Sequence, residues 1–448
     1  RKRAFSFYGQ ETFSIPAGVR PPFLHKMARR KKGRVLSRRD YLFNFVVDTL
    51  DYSFFSLGMS FGSTVTLLPL LAQRLGASNL EIGLIPAIAY LGWSFPAIWG
   101  ARVSGKLEKK LPFILRFTLF ERLPFLGMAL LSFYLVPHNP SLSLYILFIL
   151  LGINSFAMGF LGPIWTEMIG KVIHHSRWGL YFACGNGLGA LMGMWGSTLA
   201  ERFISTYPFP RNFGHCFLLA SVSMVVSYFF LALTREEKEE VTSSSGEKFL
   251  SSFFQVIRED ANFLSFLLAR VFLALGVVGG AFYTVYALQK FIIPDALVAR
   301  YNAVLLVSQA LSNFIWGPLG DKKGHKLVVL LGATSIVLSN LLALFSPDFR
   351  WFFLAFTLLG FNYSAISVGG TAIVLDFAPR EKRGLYVGWS SFLSNFPAFF
   401  SPILGGKIAD RFGYHWVFWL ALSLNLVGLL WILWGVREPR AFTNFEEG

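Results

Sequence analysis

Twelve stretches without a charged residue, each about as long as a bilayer is thick, limit what this chain can fold into. They cover residues 52–73, 82–101, 123–165, 178–200 and 212–234, then 271–289, 301–320, 327–347, 351–375, 384–406 and 412–436. The third holds two runs that meet at Pro137-His138-Asn139-Pro140. A hydrocarbon core takes roughly 20 apolar residues per helix. Lipid offers no partner for a backbone N–H or C=O, so a spanning segment must be a helix or part of a closed barrel. Helical runs of this length predict an all-α polytopic membrane protein with twelve transmembrane helices, and they exclude a soluble enzyme.

Charge follows the same plan. Of the 448 residues only 15% are charged, against about 25% in soluble domains. With the N-terminus placed in the cytoplasm, 33 of the 41 Lys and Arg fall in inner segments and 8 in outer loops. Basic residues resist translocation, so this bias predicts both termini inside a bacterial-type plasma or inner membrane. The net charge of +16 then faces anionic headgroups rather than nucleic acid. Cys184 and Cys216 lie within spans 5 and 6 and read as small buried residues. His174-His175 has no carboxylate cluster around it, so no metal site is expected. Residues 1–26 show no pattern and precede Met27, which opens a basic tail; they read as disordered, or as an upstream translation artefact.

The chain repeats itself. Ile98-Trp99-Gly100 returns as Ile315-Trp316-Gly317, and Leu151-Gly152-Ile153-Asn154 as Leu359-Gly360-Phe361-Asn362. Arg177-Trp178-Gly179-Leu180-Tyr181 returns as Arg383-Gly384-Leu385-Tyr386, and the Ala-Glu-Arg-Phe ending at Phe203 as the Ala-Asp-Arg-Phe ending at Phe412. Four matches in one order, at offsets of about 205 to 217 residues, indicate duplication. The predicted organisation is a basic tail (1–40), a six-helix bundle (41–234), a cytoplasmic linker (235–261), a second six-helix bundle (262–437) and a short tail (438–448). Residues 249–257 suit a helix lying on the membrane surface. A parallel repeat of this kind puts two pseudo-symmetric bundles around a central site near the midplane.

Between spans 8 and 9 stands Gly317-Pro318-Leu319-Gly320-Asp321-Lys322-Lys323-Gly324-His325-Lys326. This resembles the signature loop of the major facilitator superfamily, Gly-x-Leu-Ala-Asp-Arg-x-Gly-Arg-Lys. Together with the spans and the duplication, the resemblance covers residues 40–437 and is of prokaryotic type. It implies a secondary transporter, acting as a monomer, that moves a small-molecule substrate by alternating access, coupled to an ion or proton. It also implies a cytoplasmic latch in which Asp321 meets Arg383 with Asp376 nearby. Glu167 and Arg177 are the first-half equivalents of Asp376 and Arg383, but Ser104 stands where the first-half Asp belongs. Gly185, Gly189 and Gly193 line one face of span 5 and allow close helix approach. The span lacks the Pro of the drug–proton antiporter element, which weighs against that subclass. No nucleotide-binding loop and no convergent catalytic set is present, so neither a cofactor nor an enzyme is expected. A receptor or scaffold that kept the fold is the alternative.

Ionisable residues at membrane depth are costly and mark function by default. With span 1 starting near Tyr41, Asp48 and Asp51 lie about 10–15 Å inside and share one helix face. Glu121 and Arg122 sit at a similar depth in span 3, and Arg270 in span 7. Three readings stay open: an Asp–Arg122 structural pair, a carboxylate that carries a coupling proton, or an arginine that holds an anionic substrate. Asn154, Asn362, Trp389 and Asn395 are candidates to line a central cavity, with Tyr90 and Trp93. For the asparagines, helix–helix hydrogen bonding is the competing reading, and for the aromatics, core packing.

Overall fold

The computed structural model describes residues 37–174, 177–238, 260–379 and 383–439, and every regular element among them is helical. Residues 1–26, the proposed surface helix at 249–257 and His175 lie outside the described residues. The first half holds α1 (Arg38–Ser60), α2 (Leu67–Arg74), α3 (Asn79–Ser94), α4 (Ala97–Ser104), α5 (Leu111–Phe117), α6 (Leu119–Leu130), α7 (Pro140–Val172), α8 (Trp178–Thr206) and α9 (Arg211–Ala232). The second holds α10 (Ala261–Leu275), α11 (Val278–Phe291), α12 (Ala296–Lys323), α13 (His325–Phe345), α14 (Trp351–Phe377), α15 (Arg383–Phe412) and α16 (Tyr414–Gly435). Among the described residues, eight helical segments are long and apolar enough to cross a membrane: α3 with α4, α7, α9, α10 with α11, α12, α13, α14 and α16. Helices α1, α8 and α15 are of comparable length, 23, 29 and 30 residues.

Local chemistry explains where helices begin. Ser37 and Asp40 form a reciprocal capping box at α1, as Ser78 and Glu81 do at α3. Asn139 and Asp260 cap α7 and α10. The first helix starts at Arg38, earlier than the expected Tyr41, because Ser37 supplies the cap. Asp48 then lies about 15 Å and Asp51 about 20 Å along it.

The apolar run 52–73 is not one helix. It breaks between Phe61 and Thr66, and the backbone carbonyls freed there find donors in the other half of the chain. Asn302, on α12, donates to the Ser60 carbonyl at 3.1 Å, and Thr284, on α11, donates to the Val65 carbonyl at 2.8 Å. Thr66 donates to the Asn302 side-chain oxygen at 3.0 Å. In a membrane such a break survives only where protein satisfies it, so this one also joins the halves. A second interruption, at Gly276-Val277 between α10 and α11, falls at the corresponding place in the repeat.

Duplication is visible as a pair of clasps. Near the start of each half an asparagine grips the residue that follows that half's last helix. Asn44 donates to the Arg235 carbonyl and accepts from the Arg235 N–H, both at 2.9 Å. Asn262 does the same to Arg437, at 3.1 and 2.8 Å. The next residue then caps a third helix: Glu236 accepts from the Lys110 and Leu111 N–H groups at the start of α5, and Glu438 from the Lys326 N–H in the first turn of α13. Carboxylates suit these positions because a helix N-terminus carries partial positive charge.

Helix α8 packs on α1 and α12 through its small residues: Gly185 lies against the Tyr52 ring, Gly189 against Ser56 and Gly193 against Leu306. Replacing the fully buried Asn44 by Ala strands the Arg235 N–H and C=O, at about 1–3 kcal/mol. The more accessible Asn262→Ala should cost less. Thermal unfolding of the purified protein should rank them so, with the double variant near the sum of the two.

Candidate functional site

Polar groups at membrane depth gather in two places. The first is a buried cluster between α1, α6 and α9. Arg122 donates to Asp51 at 3.2 Å and to Ser227 at 2.9 Å, and Ser227 donates to the same Asp51 oxygen. Glu121 lies 3.4 Å from the Arg122 guanidinium and accepts from Thr118 at 2.9 Å. Phe55 presents its ring to the guanidinium at 5.2 Å. Asp48 stands apart: Thr234 donates to one of its oxygens, and the other has no hydrogen-bond partner among the described residues although it is buried. The cluster borders a cavity of about 160 Å³, walled also by Tyr52 and Trp165.

The expected Asp–Arg122 pair therefore forms through Asp51 and not Asp48. One helical turn separates the two carboxyls, and only Asp51 is level with α6. Asn154, placed at sequence level in a central cavity, is instead buried against α6, where it donates to the Glu121 carbonyl at 2.6 Å. Its repeat partner Asn362 donates to the Gly332 carbonyl at 2.9 Å and also lines the second site. The helix–helix reading describes Asn154, and both readings describe Asn362.

The second site is a cavity of about 630 Å³ walled by both halves. Tyr90 and Trp93 on α3 face Arg270 on α10, Asn362 and Tyr363 on α14, and Ser394 and Asn395 on α15. Arg270 donates through Nε to Ser394 at 2.9 Å, and Ser394 donates onward to the Ser390 carbonyl at 2.7 Å. Phe266 lies 5.9 Å from the guanidinium carbon. Trp389 is buried and edge-on to Phe392 rather than among the lining residues of this cavity.

The signature segment departs from the expected turn. Helix α12 continues through Asp321 to Lys323, so Gly317 is helical and the reversal falls on Gly324, whose φ of 92° a side chain would disfavour. Asp321 is in the last turn of α12, and the cap of α13 comes from Glu438 instead. His325 sits between two carboxylates, 2.6 Å from Asp376 and 3.9 Å from Asp321. Nothing in the sequence pattern singled out this histidine. The Arg383 side chain lies outside the described residues. Lys326 donates to the Leu433 carbonyl at 3.1 Å. In the first half, Glu167 accepts from Ser104 and pairs with Lys110 at 3.2 Å. Arg177 is exposed and forms no ion pair among the described residues, and Glu167, the equivalent of Asp376, is held by Ser104 and Lys110. Ser104, short and neutral where an Asp was expected, can donate to Glu167 without repelling it.

Residues 293–448 match the sequence model of the Major Facilitator Superfamily. That match covers about a third of the chain, which over this stretch is similar to members of the superfamily. Over 136 residues it is 29% identical to the multidrug resistance protein MdtG of Citrobacter koseri, which is 30% of this chain and 33% of the relative. Over 142 residues it is 28% identical to the uncharacterised MFS-type transporter YuxJ of Bacillus subtilis, 31% of this chain and 35% of the relative. The chain thus spans about a third of the length of these curated relatives. The fold resembles that of a point mutant of the nucleoside transporter NupG, with a TM-score of 0.67 at 14% identity over 87% of this chain and 99% of that one. A D-xylose–proton symporter gives a TM-score of 0.63 at 14% identity, over 89% and 99%. Helices long and apolar enough to cross a membrane, together with these similarities, support a multi-pass membrane protein.

The Asp51–Arg122 pair generates a test. Both side chains are more than nine-tenths buried, so Asp51→Ala leaves Arg122 with Glu121 alone and should cost less than the ~3–5 kcal/mol of a wholly unpaired buried charge. Expression and thermal stability should fall accordingly, and Asp51→Ala with Arg122→Leu and Glu121→Gln, which removes every charge of the cluster, should recover much of the loss.

Proposed function

We propose that this chain is a secondary transporter that moves a small solute by alternating access, with proton coupling. In this reading twelve helices form two six-helix bundles, residues 41–234 and 262–437, and both termini face the cytoplasm. The observation that carries it is the central cavity built from both halves, together with where the halves are tied. Among the described residues, the ion pairs between halves are Arg74–Asp295 at 2.6 Å and Arg300–Glu201 at 2.6 Å. Both lie at the end of the helices away from residues 37, 238 and 439. At that same end Asp410 accepts from the Asn79 and Leu80 N–H groups at 3.1 Å, and Tyr414 donates to Asn79. A polar seal at one end with a cavity behind it suits a carrier closed to one side. The seal is made of surface ion pairs and caps, each worth about 1 kcal/mol or less, and is therefore reversible.

Asp48 suits the proton. It is buried, with no cation against it among the described residues, whereas Asp51 is committed to Arg122 and Ser227. A carboxyl without a cation partner can take up a proton when the surrounding helices close and release it when they open to water. Asp321, His325 and Asp376, with Arg383 by resemblance, then form the cytoplasmic gate of the second half, and Ser104, Glu167 and Lys110 that of the first. The gate residues act on switching and leave the cavity unchanged.

The test uses Asn395→Cys in a chain whose Cys184 and Cys216 are replaced. A membrane-impermeant thiol reagent should reach Asn395→Cys from the side of the termini and much more slowly from the other. Removing the seal with Arg74→Ala and Arg300→Ala should raise labelling from the opposite side and lower it from the first. Changing pH should shift this balance, and Asp48→Asn should abolish the shift. Simultaneous equal labelling from both sides would contradict a carrier, and a pH response that survives Asp48→Asn would remove the coupling assignment.

A further inference from the structure

Arg270, half-buried, stands apart from Arg122, Lys110 and Lys171, which are likewise buried or half-buried. Arg122 has two carboxylates within 3.4 Å, Lys110 has Glu167 and Lys171 has Glu236. Arg270 has no carboxylate within ion-pair range among the described residues; its Nε rests on the Ser394 hydroxyl. Among the described residues it is also the one formally charged side chain lining the central cavity. A guanidinium facing a space between helices, with no counter-charge, calls for one brought in from outside.

The rest of the lining describes what carries that charge. A second chamber of about 550 Å³ adjoins the first and shares Tyr90, Trp93 and Asn395 as walls. Its lining is mostly apolar and aromatic, with Phe392, Phe396 and Phe399, and contains no charged residue among those described. Pockets of this size bury a drug-sized molecule and use a few polar groups to fix its orientation. We propose that the transported solute is an amphipathic organic monoanion, its carboxylate or equivalent head on Arg270 and its apolar body among Tyr90, Trp93 and the span 11 phenylalanines. This rests on the transport reading and narrows it. A cation meets an uncompensated like charge there, and a dianion finds one guanidinium for two charges.

Gly370 belongs to the same site. A Cβ at Gly370 would stand 2.5 Å from Nη1 of Arg270, so the absence of a side chain there is what lets the guanidinium lie where it does. The obstructed atom is the tip of a flexible side chain, so Gly370→Ala should displace the head of Arg270 while leaving the charge and the fold in place. It is a positioning residue for the anion.

The experiment compares four probes on purified protein in nanodiscs, with empty nanodiscs subtracted: 4-phenylbutyrate, 4-phenyl-1-butanol, 4-phenylbutylamine and acetate. The first three share a body and differ in charge, and the fourth is a head with almost no body. Saturable binding of 4-phenylbutyrate about tenfold or more tighter than each of the others is expected, the range of a charged hydrogen bond. Arg270→Ala should bring the carboxylate and the alcohol to similar affinity, Arg270→Lys should restore part of the difference, and Gly370→Ala should weaken only the carboxylate. The substrate class is overturned if the amine or alcohol binds as tightly as the carboxylate in the wild-type protein, or if 4-phenylbutyrate shows no saturable binding. Unchanged selectivity in both Arg270→Ala and Gly370→Ala would overturn it too. None of these outcomes depends on sided labelling of Asn395→Cys, which judges the transport reading separately.

Discussion

Lipid supplies no hydrogen bonds, and that constraint organises this molecule. Each polar group at depth has to be met by another part of the chain, so polar residues become the long-range ties of the fold. Asn44 and Asn262 close each half on itself by clasping the residue after its last helix. Asn302 does the same between the halves, reaching the carbonyl of Ser60 and the hydroxyl of Ser197 across the break that ends α1. The apolar helices provide surface for packing, and these few side chains decide which helices are neighbours and in what register.

The same constraint separates structural from functional charge. Arg122 is met on two sides by carboxylates and by Ser227, an arrangement that holds α1, α6 and α9 together. Among the described residues Asp48 and Arg270 are each left without an oppositely charged partner, one in the first half and one in the second. A carboxyl short of a cation and a guanidinium short of an anion are complementary deficits, resolved by a proton and an anion respectively. A carrier that binds both would bring each half to local neutrality in one loaded state.

Much of the architecture was legible in the sequence because apolar run length and in-register repeats are local or periodic signals. They marked the membrane-length helices and the repeat that the Asn44 and Asn262 clasps display. The interruption at Phe61–Thr66 was hidden: its residues carry no charge and so do not break the run, and the donors that stabilise it, Asn302 and Thr284, lie more than 200 residues away. The clasp and cap residues Glu236 and Glu438 were hidden for a related reason, since each looks like one more charge in a polar tail until α5 and α13 are brought beside it. Asn154 and Asn362 occupy equivalent sequence positions, yet one ties α7 to α6 and the other also borders the cavity. Repeat position fixes the level of a residue in the membrane, and the differing neighbours of each half fix what it touches.

Two pairs of spin labels in the cysteine-free chain test the central claim most directly: Ala77 with Ile292 at the sealed end, and Lys109 with Lys322 at the end near the termini. Distance distributions in nanodiscs would be recorded across a pH series, with and without Arg74→Ala and Arg300→Ala. Two populations that exchange in opposite sense, the sealed end lengthening as the other end shortens, are what alternating access predicts. A single distance at each end, unmoved by pH or by loss of the ion pairs, would contradict it.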